Sequence, residues 1–92
     1  MMMAAKSKLK LGGRWERVLN WGDLRQRQYA PRLRGKISFG MFGNSAGWTL
    51  HYRSEKVDGG SFIDDLYSAV KKAKAACDAA AREYLEAKEG GE

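Results

Sequence analysis

Ninety-two residues, 43% apolar and 30% charged, with a net charge of +6, make one domain. A chain of this length buries only roughly 60–65% of its unfolded surface, and its single cysteine excludes an intramolecular disulfide and suits a reducing compartment. No apolar run approaches the ~20 residues of a membrane span. The charge is lopsided. Residues 1–56 hold twelve Lys/Arg against three Asp/Glu, whereas residues 57–92 hold five against eight. The basic half also carries every Trp, Tyr29, Tyr52 and the lone His51. Such a half attracts phosphates or acidic protein surfaces.

In chain order, residues 1–13 read as a flexible basic arm. Lys6, Lys8 and Lys10 precede no apolar segment of the kind a secretory signal requires. In residues 14–21 the apolar positions Trp15, Val18, Leu19 and Trp21 fit neither period well; a strand is expected. Gly22-Asp23 reads as a turn. Residues 24–29 alternate Arg25, Arg27 and Tyr29 with Gln26 and Gln28, which fits an exposed edge strand or a solvated loop. Pro31, which cannot donate to a ladder, marks a break or an edge.

Residues 32–42 are clearer. Leu33, Gly35, Ile37, Phe39 and Met41 fall on one side at period two, and Arg32, Arg34, Lys36 and Ser38 on the other. Trp48, Leu50 and Tyr52 repeat the pattern, with Thr49, His51 and Arg53 opposite. The Gly-Asn-Ser-Ala-Gly run between them is turn chemistry. Keeping the apolar set together predicts a loop over 43–46, with Met41 beside Trp48, Phe39 beside Leu50 and Ile37 beside Tyr52. The same register sets Ser38 by His51, Lys36 by Arg53 and Arg34 by Glu55 on the outer face.

Asp58-Gly59-Gly60 reads as a linker turn and Ser61 as the N-cap of a helix, with Asp64 in an imperfect capping box. Residues 62–88 contain no Gly or Pro and much Ala. Ile63, Leu66, Val70, Ala73, Cys77, Ala80 and Tyr84 form one apolar stripe, and Gly90-Gly91 stops the helix. The expected fold is α+β: a small antiparallel β-sheet of about three strands packed on one long C-terminal α-helix. The domain covers residues 14–89, with a tail over 90–92. Tyr67 and further Ala on the far helix side leave monomer and homodimer both open.

Little here resembles a catalytic inventory. Cys77 lies on the apolar stripe and reads as a buried thiol. His51 lies on the other side of the sheet. No metal site has enough Cys and His, no cofactor is implied, and Asp64-Asp65 reads as a helix start. The glycines at 40, 43 and 47 follow no phosphate-loop spacing. The better candidate is the outer hairpin face, with Arg32, Arg34, Lys36, His51 and Arg53. Lys36 opposite Arg53 is a like-charge pair, either splayed in solvent or neutralised by an anionic partner. Arg25, Arg27 and Tyr29 extend this basic, aromatic character, and Arg forks suit carboxylates and phosphates.

Two resemblances add to this. Lys71-Lys72-Ala73-Lys74 and the Ala-rich run after it resemble the C-terminal helix of double-stranded-RNA-binding domains. That family opens its helix at the Lys pair and has a first helix missing here, so no residue role is carried over. The overall layout, a basic arm, Trp15, a Gly-rich hairpin with Trp48 and a closing helix, is similar to small accessory proteins of phages and mobile elements, anti-CRISPR proteins among them. The resemblance implies a cytoplasmic, non-enzymatic binder, acting in the host cytosol if phage-encoded. Its partner would be a host protein or nucleoprotein complex; the alternative partner is nucleic acid, gripped by the same face and the arm. No membrane is involved in either reading.

Overall fold

A computed structural model describes residues 11–20, 23–39 and 43–91. Among them, strands β1 (Glu16–Asn20), β2 (Asp23–Ala30), β3 (Leu33–Phe39), β4 (Ser45–Tyr52) and β5 (Glu55–Ile63) pair antiparallel in chain order. The helix α1 (Leu66–Gly91) follows and packs on β3, β4 and β5. The α+β class and the helix-on-sheet layering match the sequence pattern, with five strands in place of about three. Expectations for Lys6, Lys8, Lys10, Trp21, Gly22, Gly40, Met41 and Phe42 fall outside the described residues.

The additional strands have local causes. Residues 24–29 are neither edge nor loop, because β2 pairs with β1 on one side and β3 on the other. Pro31 sits in the turn after it. Asp58-Gly59-Gly60 is not a linker but the middle of β5, where Gly59 faces Thr49 and Gly60 faces Trp48. A Cβ at Gly60 would lie 2.8 Å from Trp48 Nε1. Glycine in a strand here marks a close approach of backbone to an indole.

The helix therefore starts later than Ser61, which is in β5 opposite Gly47. Asp65 caps it instead, accepting the Ser68 N–H at 3.2 Å, the N-cap geometry of a short acid. Asp64 pairs with Lys72 at 2.8 Å, and that hydrogen bond holds its carboxyl below the usual range. The helix continues past Lys88 to Gly91.

The β3–β4 register differs from the expected one by four residues. Leu33 faces Tyr52, Gly35 faces Leu50, Ile37 faces Trp48 and Phe39 faces Ala46. An even shift leaves every side chain on its expected face. Packing across the sheet selects this register: a Cβ at Gly35 would come within 2.5 Å of Cys77 Sγ and 2.9 Å of the Tyr29 ring. Gly35 is thus the hollow into which strand and helix side chains close.

Leu33, Ile37, Leu50, Ala69, Ala73, Cys77 and Ala81 are essentially sealed from solvent, with Tyr29, Ala46 and Trp48 beside them. Burying each large aliphatic side chain contributes about 1.5–3 kcal/mol. The small helix residues let α1 lie close on the sheet. Ile63 and Phe39 do not join this core. Ile63 precedes the helix and is 83% exposed, and Phe39, at the end of its strand, is 46% exposed.

Candidate functional site

Strand alternation sorts the cationic side chains. On β3, Leu33, Gly35 and Ile37 are buried, leaving Arg34 and Lys36 on the outer face. On β4, Ala46, Trp48 and Leu50 are buried, leaving Thr49 and His51 outward. Arg34 lies across from His51 and Lys36 from Thr49, so Lys36 does not face Arg53 directly as expected. Two turns complete the surface: Arg32 follows Pro31 between β2 and β3, and Arg53-Ser54 joins β4 to β5. The Arg53 N–H donates to the Arg32 carbonyl at 2.9 Å, tying the turns together.

These elements enclose an open concavity of about 430 Å³ lined by Gln28, Arg32, Arg34, Lys36, His51, Arg53 and their turn neighbours, with no carboxylate. Gln28 organises its floor. The amide nitrogen donates to the Ala30 carbonyl at 2.6 Å and the amide oxygen accepts from Arg34 Nε at 2.9 Å. That contact orients the Arg34 guanidinium. His51 Nε2 lies 3.0 Å from the Thr49 hydroxyl, and the Arg53 guanidinium lies 5.6 Å from the Tyr52 ring centre. The ion pairs found among the described residues, Arg27–Asp78 and Lys72–Asp64, lie elsewhere. Three arginines and a lysine thus converge on a concavity whose lining holds no carboxylate.

Five of the eight expected site residues meet here: Arg32, Arg34, Lys36, His51 and Arg53. Arg25, Arg27 and Tyr29 do not. Arg25 faces Ile37 across the ladder and Arg27 faces Gly35, which places both on the helix side. Tyr29 is buried. Its hydroxyl donates to Asp78 Oδ1 at 2.7 Å, joined by Trp15 Nε1 at 3.1 Å and Arg27 Nη1 at 3.3 Å. Arg27 also donates to the Gly12 and Leu11 carbonyls at 3.0 and 3.3 Å, holding residues 11 and 12 of the expected arm against the sheet. Burial, more than any hydrogen bond, pushes the Tyr29 phenol far up and the Cys77 thiol up to about 11.

Asp78 and Gln28 are the residues that sequence reading missed. Asp78 reads as a solvated helix acid, yet it follows Cys77 at the margin of the apolar stripe, where an acid needs a donor. Gln28 is visible only as the outward partner in the Arg/Gln alternation of β2. Of the aromatic side chains expected to extend the binding surface, Trp15 and Tyr29 pack in or against the core, beside Trp48 and Tyr52, which lie on the apolar side where they were expected. Comparison of the chain with protein-family models, curated proteins and solved structures finds no match in any of the three.

Proposed function

We propose that this chain is a small binding protein that holds a polyanionic partner, foremost a nucleic acid, against the outer face of its sheet. The observation that carries the reading is the convergence of Arg32, Arg34, Lys36 and Arg53 on one concavity lined by no carboxylate. The neighbouring outward residues, Gln28, Thr49 and His51, are hydrogen-bonding groups. Such a surface suits phosphate contacts, which position a nucleic acid without reading its sequence. With four aromatic side chains drawn to the helix side, base stacking has a smaller part than charge.

Anisotropy titration of a labelled duplex tests this. With about four phosphate contacts, log affinity falls with log salt at a slope near −3 to −4. The double variant Arg34→Glu, Arg53→Glu lowers affinity more than roughly tenfold and flattens the slope. A salt-independent affinity, or equal binding by the folded variant, defeats the proposal.

A second reading is capture of an acidic protein or nucleoprotein surface, in the manner of phage inhibitors. It draws support from apolar side chains outside the core: Ile63 is 83%, Tyr67 75% and Phe39 46% exposed. Such residues can anchor an interface. Nuclease-resistant retention of one host protein that Ile63→Ser abolishes would favour it. For either partner the proposed location is the cytosol, in keeping with a single thiol.

A further inference from the structure

The β4–β5 connection is a two-residue hairpin turn in which both central residues have positive φ, 54° at Arg53 and 71° at Ser54. Type I′ turns of this kind favour Asn-Gly, because side chains beyond Asn, Asp and Gly crowd the backbone in the left-handed region. Arg and Ser are poor choices for it. They are the only non-glycine residues with positive φ among the described residues, and both line the basic concavity. Backbone strain and like-charge crowding therefore fall on the same few residues. Strain of this kind collects where a side chain must be held in a set place.

We infer that the concavity is a seat for a phosphate monoester, such as the 5′-phosphate ending a nucleic-acid strand, and that the strained turn holds Arg53 and Ser54 in position to grip it. This rests on the nucleic-acid reading above and narrows it. A monoester carries about −1.5 to −2 charge at pH 7 and three strong acceptor oxygens, whereas each backbone diester carries a single charge. Arg32, Arg34, Lys36 and Arg53 converging in one place suit the denser anion. Their forked and ammonium donors match its acceptors, and the Ser54 hydroxyl adds another. The concavity, at about 430 Å³, is of the size that takes a small ligand group. The Arg53-to-Arg32 backbone hydrogen bond keeps the two turns from moving apart as the anion enters.

The test uses the full chain and the double variant Arg53→Asn, Ser54→Gly, which supplies the preferred turn residues. Binding is measured to a single-stranded oligonucleotide with and without a 5′-phosphate, and melting with inorganic phosphate against chloride at equal ionic strength. The parent is expected to bind the phosphorylated strand about tenfold more tightly and to melt higher in phosphate. The variant is expected to melt higher than the parent in chloride yet lose the preference for the phosphorylated end. A parent that binds both strands equally, with a steep salt slope, overturns the inference and leaves the nucleic-acid reading standing. A parent that binds neither strand overturns the inference, and one that binds no duplex either overturns both. A variant that melts lower than the parent, or keeps the full end preference, overturns the role given to the turn.

Discussion

Arg27 and Arg34 sit on neighbouring strands, since Gln28, next to Arg27, pairs with Arg34, yet they lie on opposite sides of the sheet. Arg27 uses Nε, Nη1 and Nη2 within the fold, on Gly12, Asp78 and Leu11, and lies 5.0 Å from the Tyr29 ring centre. Arg34 is exposed, and its Nε donates to Gln28 Oε1. One step of strand alternation separates a structural arginine from one available to a partner. Arg27 is paired with an acid, Asp78, whereas Arg34 is in no ion pair found among the described residues.

Substitutions on the inner face cost the most. Asp78→Ala strands the Tyr29 hydroxyl, the Trp15 indole N–H and the Arg27 guanidinium, and should cost about 2–3 kcal/mol. For a domain of this size that lowers the melting temperature by roughly 10–20 °C, read by circular dichroism. Gly35→Ala drives a methyl into Cys77 and Tyr29 and should cost about 1–3 kcal/mol, with the outer-face binding retained in the folded fraction.

Alkali should act on the inner face alone. Burial holds the folded Cys77 thiol up to about 11 and the Tyr29 phenol higher still. An unfolded thiol ionises near about 8.5 and a phenol near about 10. The stability tied to the protonated forms is therefore complete at pH 8 and is lost from about pH 9 upward, as the unfolded chain sheds protons the folded chain keeps. Denaturant midpoints measured across that range check this, and Cys77→Ala should weaken the early part of the decline.

Breaking the outer half leaves stability nearly untouched. Arg34→Glu with Arg53→Glu should change it by less than about 0.5 kcal/mol, because neither side chain is in an ion pair found among the described residues. Smallest of all, Phe39→Ser or Ile63→Ser should stay within about 0.5 kcal/mol, since both lie outside the core.

The outer site was legible because period-two alternation in residues 32–39 and 48–52 survives any even shift in register. Arg34, Lys36 and His51 were therefore assigned to the correct side even though Ile37 was expected opposite Tyr52 and lies opposite Trp48. The shift itself was not legible: it depends on Gly35 receiving side chains from β2 and α1, a contact no local pattern records. β5 was missed for a related reason, because Gly59-Gly60 has turn composition until Trp48 is seen packed against it. The inward turn of Arg27 and Tyr29 needed the position of Asp78, 49 residues from Tyr29 in sequence.

Amide chemical-shift mapping of the isotope-labelled chain, titrated with a single-stranded oligonucleotide, reads out whether the outer face of the sheet receives the anion. The largest shifts are expected at Gln28, Arg34, Lys36, His51, Arg53 and Ser54, with the α1 amides quiet. Shifts concentrated along α1, or none at saturating oligonucleotide, would contradict it.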